Sequence, residues 1–155
     1  MQPKRSPKRV IIVEDQKATA WALAESLRED GYDAITAGSS EEALELGAED
    51  CDVLITDLRL PGMNGIELMS RVRKKRPLPS ILITAYGSPD VIARAKRAGA
   101  VGCFSKPFNI KEVKECLKRA LKKPPRGRAR ARKGALTAVR RTVSRSVERT
   151  GCKGY

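Results

Sequence analysis

The chain has 155 residues and a formal net charge of +14, long enough for one domain with an extension and too short for two full domains. Hydrophobic residues at 41% and charged residues at 32% fit a soluble globular protein and exclude a wholly disordered one. The apolar runs fall far below the roughly 20 residues that cross a bilayer, and no apolar secretory signal follows the basic first residues. We therefore expect a cytoplasmic protein without a membrane span.

The positive charge is concentrated at the two ends of the chain. Residues 1–9 contribute +4 and residues 122–155 contribute +11, whereas residues 10–121 hold 16 basic against 17 acidic side chains. The sequence therefore predicts a near-neutral folded body, 9–121, between a basic arm, 1–8, and a largely disordered basic tail, 122–155. Residues 126–133 of the tail lack apolar anchors, whereas Leu136, Val139, Val143 and Val147 form a thin apolar stripe that is compatible with a short helix. Such a tail would attract nucleic-acid phosphates without reading sequence, so nonspecific nucleic-acid contact is one use of it.

The residue types exclude several kinds of site. The chain contains no histidine, which removes Ser-His-Asp and Cys-His catalysis. Its four cysteines are spaced 52, 13 and 36 residues apart, so no pair has CxxC spacing and a zinc site lacks its usual ligands. We expect reduced thiols, and a chemistry that rests on carboxylate, hydroxyl and amine groups.

Five short apolar runs, rich in β-branched residues, alternate with longer amphipathic segments. In chain order the runs are Val10–Val13, Ala34–Ala37, Val53–Thr56, Ile81–Thr84 and Val101–Phe104. Consecutive apolar positions bounded by turn residues are typical of strands that are buried on both faces of a parallel sheet. The spacing of the runs, between 19 and 28 residues, leaves room for a helix and two short loops in each repeat.

The intervening segments carry helix signals. An i, i+3, i+4, i+7 stripe over 20–27 predicts the first helix, which ends before Gly31. Ser39 with Glu42 predicts a capping box at the start of the second helix. The other three helices are expected to start after Asn64, Ser88 and Asn109.

Trp21 lies on the flank of the first-helix stripe and is expected to be partly buried. A doubly wound α/β sheet with five helices follows.

Chemically useful side chains follow the strands at their carboxyl ends, where open parallel sheets bind ligands. They are Glu14 and Asp15 after the first run, Asp57 after the third, Thr84 at the end of the fourth and Lys106 past the fifth. If the strand order is 2-1-3-4-5, the three carboxylates meet in one pocket. Such a cluster is unfavourable unless a cation is bound, and oxygen ligands favour Mg²⁺. Each residue alone is more simply a turn or surface residue, so it is their coincidence that predicts a site.

The same residues resemble a known family. The motifs in question are Glu14-Asp15, the segment 57–65 (DLRLPGMNG), Thr84-Ala85 and Lys106-Pro107, in this order. Over residues 9–121 the chain resembles the receiver domain of bacterial two-component response regulators. It looks most like the stand-alone sporulation phosphorelay intermediates and the receivers of enhancer-binding regulators. The resemblance implies a flavodoxin-like five-stranded parallel sheet of order 2-1-3-4-5.

The resemblance also implies how the acidic residues act. Asp57 would be the phosphoacceptor, and its carboxylate would attack the phosphohistidine of a histidine kinase or a histidine phosphotransfer protein. Asp15 would bind Mg²⁺ directly and Glu14 through water, while Asp57 and the backbone carbonyl of Arg59 would complete the protein ligands. Such a site works by positioning and charge neutralisation.

The remaining motif residues would act on the phosphoryl group. Thr84 would hydrogen-bond one phosphoryl oxygen, and Lys106, placed by a cis Lys106-Pro107 peptide, would pair with another. Tyr86 and Arg59 would flank the opening and slow hydrolysis of the aspartyl phosphate by shielding it. Cys103 stands where many receivers carry the aromatic residue that swings inward on phosphorylation, and the phosphorelay intermediates also lack that aromatic. The chain is therefore expected to carry phosphate rather than to switch transcription.

Three functions are compared on this basis. The first is a single-domain response regulator or phosphorelay carrier, whose partner bundle would dock beside Trp21. The second is a transcriptional response regulator that contacts DNA through the basic tail. The third, an aspartyl-phosphate phosphatase, needs a second Asp two residues after the nucleophile, where this chain has Arg59. We therefore expect a phosphoacceptor signalling domain rather than an enzyme.

Overall fold

A computed structural model describes residues 5–122, which form five strands and five α-helices in alternation. The strands are β1 (Arg9–Val13), β2 (Asp33–Ala37), β3 (Val53–Thr56), β4 (Ser80–Thr84) and β5 (Ala100–Ser105). The helices are α1 (Lys17–Glu29), α2 (Ser40–Glu45), α3 (Gly65–Lys75), α4 (Pro89–Arg97) and α5 (Ile110–Lys122), and a 3-10 turn (Ala48–Asp50) precedes β3. Residues 1–4 of the predicted arm lie outside the described residues, and so does the predicted basic tail beyond Lys122.

The strands form one parallel sheet in the order β2-β1-β3-β4-β5, which confirms the predicted fold class and strand order. In the register of the two central strands, Val13 at the end of β1 lies beside Thr56 at the end of β3. The residues that follow these two positions therefore leave the sheet side by side. This register is what brings separate acidic segments of the chain together.

The helices cover both faces of the sheet and divide the core in two. On one face, α2, α3 and α4 pack on strand residues such as Ile11, Leu54 and Leu82. On the other face, α1 and α5 pack on the alternate residues, such as Ile12 and Ile55. Side chains of neighbouring strand positions point to opposite faces, so each central strand contributes to both halves of the core.

Burial departs from the prediction at the two edges of the sheet. The central strands β1, β3 and β4 are buried on both faces as predicted, but β2 and β5 are only partly covered, and Val101 on β5 is 51% exposed. The expected partial burial of Trp21 is also wrong, because its side chain is 65% exposed. The stripe of Ala20, Leu23, Ala24 and Leu27 already fills the contact between α1 and the sheet.

The helix starts are close to those predicted, with one difference in capping. Ser39 accepts a hydrogen bond from the backbone N–H of Glu42, but the Glu42 carboxylate accepts from the N–H of Gly38 at 2.6 Å instead of closing the predicted box. A full capping box is formed instead by Asn64 and Glu67 at the start of α3. Among the described helices, none has the length and apolar composition needed to cross a membrane.

Candidate functional site

Two of the predicted carboxylates lie side by side where β1 and β3 end. The backbone N–H of Asp57 donates to the carbonyl of Val13 at 3.0 Å, so the ladder between the two strands extends one residue into the site. The side chains of Glu14 and Asp57 are buried, and that of Asp15 is exposed. Carboxylate oxygens of all three lie within 4.8 Å of one another. The structure thus brings together the acidic cluster that the sequence predicts.

Lys106 neutralises the two buried carboxylates. Its Nζ donates to Oε2 of Glu14 at 2.6 Å and to Oδ2 of Asp57 at 2.7 Å, and its side chain is only 19% exposed. Burial by itself would lower the pKa of Lys106, but the hydrogen bonds and charges of Asp57 and Glu14 outweigh it and raise that pKa above its ordinary value. The ammonium therefore stays charged at neutral pH and holds the cluster together.

The backbone positions this ammonium. The N–H of Lys106 donates to the carbonyl of Thr84 at 3.0 Å, which ties the loop after β5 to the end of β4. The Lys106-Pro107 peptide is cis, as the resemblance predicted. The Thr84 hydroxyl is buried and accepts the backbone N–H of Tyr86 at 3.1 Å, so its own proton remains available to donate. The backbone hydrogen bond between Lys106 and Thr84 therefore connects the residue that carries the ammonium to the residue that carries the hydroxyl donor.

A cation and an aromatic ring stack on each other in the loops that follow β3 and β4. The guanidinium carbon of Arg59 lies 3.8 Å from the ring centroid of Tyr86, and the Tyr86 ring is half exposed. A guanidinium at this distance over an aromatic face is a cation–π contact, worth about 0.5–1 kcal/mol when exposed. The sequence motifs indicate both residues but do not predict that they touch. No spacing rule links two residues on different loops, so only the fold reveals this pair.

Gly65 sets how closely α3 approaches the acidic residue. A Cβ on Gly65 would collide with the backbone carbonyl oxygen of Asp57 and would lie 3.0 Å from Oγ1 of Thr56. That hydroxyl donates to the same Asp57 carbonyl at 2.9 Å, and the N–H of Gly65 donates to the carbonyl of Leu58 at 2.9 Å. The absence of a side chain at Gly65 therefore lets α3 begin next to Asp57.

The donor set of this cluster suits a hard divalent cation. Carboxylate oxygens are the protein ligands that Mg²⁺ prefers, and it usually keeps several of its waters. Here two buried carboxylates lie next to an exposed one, so part of the coordination shell would face solvent. The other oxygen of Glu14 accepts the N–H of Gln16 at 3.0 Å, which fixes the orientation of its carboxylate. The residues present therefore fit Mg²⁺.

The sequence of residues 10–118 matches the response regulator receiver domain family. The chain belongs to this family. As a receiver domain it is a signalling domain of two-component systems. The fold and the cluster at the carboxyl ends of the strands agree with this assignment.

Curated relatives share the receiver domain but differ in length. The transcriptional regulatory protein PdtaR of Mycobacterium tuberculosis is 38% identical over 109 residues, which are 69% of this chain and 53% of that relative. The chain thus matches only about half of the length of PdtaR. Sporulation initiation phosphotransferase F of Bacillus subtilis is 33% identical over 115 residues, 73% of this chain and 93% of that relative.

Solved structures show the same fold. A CheY-like receiver domain protein from Methanospirillum hungatei superposes with a TM-score of 0.71 at 31% identity, and the match covers 76% of this chain and 95% of that one. The receiver domain of HemR from Leptospira biflexa, in its non-phosphorylated form, has a TM-score of 0.71 at 32% identity. The match covers 76% of this chain and 97% of that one. These matches support the doubly wound sheet on which the site is built.

Proposed function

We propose that this receiver domain accepts a phosphoryl group on Asp57 from a phosphohistidine. The observation that carries the proposal is the bridge of Lys106 between Glu14 and Asp57, at 2.6 and 2.7 Å, at the carboxyl ends of the strands. The contact with the ammonium orients the buried carboxylate of Asp57, and phosphoryl transfer depends mainly on positioning and on stabilisation of charge. In this proposal the catalytic residues are Asp57, Thr84 and Lys106.

The transfer step needs little covalent chemistry from the protein. One carboxylate oxygen of Asp57 bonds to phosphorus while the P–N bond of the donor breaks, and the electron pair of that bond returns to the imidazole nitrogen. The negative charge of the phosphoryl oxygens is then met by the ammonium of Lys106 and by the hydroxyl proton of Thr84. Both donors are held by the backbone contact between residues 84 and 106.

We assign Mg²⁺ to the acidic cluster, with Glu14, Asp15 and Asp57 as side-chain ligands and the Arg59 carbonyl as a further ligand. The bound ion would supply charge neutralisation for phosphoryl oxygens. Asp15, the exposed member, gives the cluster its third carboxylate. One ammonium offsets only one of the two buried carboxylates, and the third carboxylate adds further negative charge, which favours a cation.

The donor would be a histidine kinase or a histidine phosphotransfer protein, and the setting cytoplasmic. The exposed face of α1 supports such a docking, because Trp21 projects from it and Gln16 and Thr19 lie at its start. An exposed indole with nearby polar groups is typical of an interface residue. The site at the end of β1 opens beside the same helix, so a docked donor would reach Asp57.

A carrier of phosphate is favoured over a transcriptional switch by Cys103. This residue lies on β5 opposite Leu82 of β4 and packs partly buried against the core under α4. Burial raises the pKa of its thiol, so it behaves as a small apolar residue. A thiol at this position cannot act as the aromatic switch expected of many receivers. Among the relatives, the phosphotransferase of Bacillus subtilis is covered over nearly its whole length.

The alternative is a transcriptional regulator that uses the basic tail on DNA. It is motivated by the net charge of +11 over residues 122–155 and by PdtaR, a relative that is named as a transcriptional regulator. Deleting residues 123–155 and measuring DNA binding as a function of salt separates the two functions. A regulator that uses the tail would lose most of its DNA affinity on deletion, whereas in a carrier neither the DNA affinity nor the phosphoryl transfer would depend on the tail.

The proposal is tested by incubating the full chain with Mg²⁺ and acetyl phosphate and measuring its intact mass. One phosphoryl adduct is expected for the wild type, and none for Asp57→Asn, which keeps the shape of the side chain. Asp90→Asn is the matched control, because Asp90 is an exposed aspartate in the first turn of α4. An unchanged adduct in Asp57→Asn would refute the acceptor assignment.

A further inference from the structure

The near-neutral body of the chain is strongly polarised in charge. Residues 10–67 hold three basic and 14 acidic side chains, a net charge of −11. Residues 68–110 hold nine basic side chains and the single acidic residue Asp90, a net charge of +8. The acidic part contains β1 to β3 with the carboxylate cluster, and the basic part contains most of α3 and all of β4, α4 and β5.

The fold gathers this basic charge at one place. α3 and α4 pack on the same face of the sheet, and both run antiparallel to the strands, so their last turns lie at the end of the sheet opposite to Asp57. The two ends touch, because the guanidinium of Arg73 donates to the carbonyl of Arg97 at 2.7 Å. We call this surface the α3–α4 basic face. Its exposed residues are Arg73, Lys74, Lys75, Arg94, Lys96 and Arg97.

The helix dipole does not account for this face. Basic residues in a last helical turn are ordinary, since they complement the negative end of the dipole. At the end of α1, however, the basic residue Arg28 pairs with Glu25 at 2.7 Å and is followed by two further acidic residues. On the α3–α4 basic face only Lys75 has a carboxylate partner, Glu49 at 2.8 Å, among the residues that the structure describes. The other basic side chains of the face form no ion pair with a carboxylate in the part of the chain that the structure describes.

We propose that the α3–α4 basic face binds the phosphate backbone of a nucleic acid, independently of phosphoryl transfer at Asp57. Clustered exposed Arg and Lys side chains are the electrostatic requirement for such binding, and they need no base contacts to supply affinity. The acidic cluster would repel a polyanion, and it lies at the opposite end of the sheet. A nucleic acid on this face therefore leaves the carboxylate site open to a protein donor.

The overall charge favours this partner over a second copy of the chain. The acidic half of one molecule could face the basic half of another, but each chain carries a net charge of +14, so copies repel one another. A nucleic acid meets no such repulsion. It would also accept the charges of residues 1–9 and 122–155, which are positive as well.

The test is the salt dependence of binding of the full chain to 20-base-pair DNA and RNA duplexes, measured by fluorescence anisotropy. The variant Lys74→Gln, Arg94→Gln, Arg97→Gln removes three exposed charges of the face. The matched control Lys17→Gln, Lys111→Gln, Lys118→Gln removes three exposed charges from α1 and α5, on the other face of the sheet. Arg73 is left in place because it contacts the end of α4.

Log affinity falls as log salt rises, and we expect the face variant to make this fall less steep by about 0.9 for each DNA phosphate that it no longer neutralises, up to about 2.7. The slope on the RNA duplex should change in the same direction. The control should change the steepness by less than about 0.9. Equal decreases in both variants, or no binding, would overturn the proposal. Two parallel measurements, binding to phosphatidylglycerol vesicles and self-association at low salt, cover the other partners. The proposal would also be overturned if the face variant weakened only the binding to vesicles, which indicates a membrane partner, or if it abolished self-association of the chain. Circular dichroism melting curves that match the wild type establish that both variants are folded.

Discussion

The close contact between Gly65 and Asp57 makes Gly65→Ala the sharpest test of how the site is packed. Gly65 is the first residue of α3, and in an exposed helix interior replacing Gly by Ala stabilises by about 0.8–1 kcal/mol. Here the added Cβ would collide with the carbonyl oxygen of Asp57 and lie 3.0 Å from both the carbonyl carbon of Asp57 and Oγ1 of Thr56. Two of these three atoms belong to the backbone, so they cannot rotate away. The sign of the effect should therefore reverse.

We expect Gly65→Ala to lower the free energy of unfolding by about 1–3 kcal/mol, the usual cost of overpacking, and to sit at the upper end of that range. Urea denaturation at neutral pH measures this directly. Gly38→Ala is the control, because its Cβ would meet only Oε1 of Glu42 at 3.5 Å, an ordinary contact at the end of a flexible side chain. A Gly65→Ala protein as stable as wild type, with unchanged phosphorylation, would show that α3 does not set the position of Asp57.

Three further perturbations address the charges of the site. Lys106→Met should lower the free energy of unfolding at pH 7 by on the order of 2 kcal/mol, because two buried carboxylates lose a charged donor. This difference from wild type should be fully present below the ordinary Lys pKa of about 10.4 and should shrink as pH rises through the raised pKa of Lys106. Urea denaturation at a series of pH values measures it. Mg²⁺ at a hundredfold excess over its Kd should stabilise the wild type by about 2.7 kcal/mol, which is measured as a rise in melting temperature. The rise should be smaller for Asp15→Asn, and equal rises would exclude Asp15 as a ligand. Arg59→Ala should shorten the lifetime of the phosphorylated protein, followed by intact mass over time, whereas Tyr86→Phe should leave it unchanged because the ring under the guanidinium remains.

The sequence was sufficient to predict the fold because its signals agree at every level. The five apolar runs became the five strands to within one residue at each end, and Asn64, Ser88 and Asn109 precede α3, α4 and α5 as predicted. The carboxylates were located by one rule, that ligand sites lie at the carboxyl ends of parallel strands. That rule uses strand ends, which the sequence patterns contain, and strand order, which only the resemblance to the family implied.

What the sequence did not predict depends on which surfaces remain uncovered and on contacts between loops. Periodicity placed Trp21 beside the apolar stripe of α1, but only the packed sheet shows that smaller residues already fill that contact. Val101 is exposed for a different reason. Its strand, β5, lies at the edge of the sheet formed by the described residues and is only partly covered. The geometry by which Lys106 bridges Glu14 and Asp57 requires three separate loops, so only its participation could be predicted.

The most direct measurement of the central claim is a crystal structure of the full chain with Mg²⁺ and beryllofluoride, a mimic of a phosphoryl group. We predict density for the mimic on a carboxylate oxygen of Asp57, with Thr84 and Lys106 in contact with it and a metal ion among Glu14, Asp15 and Asp57. Density for the mimic on another residue, or carboxylates turned apart with no ion between them, would contradict the account.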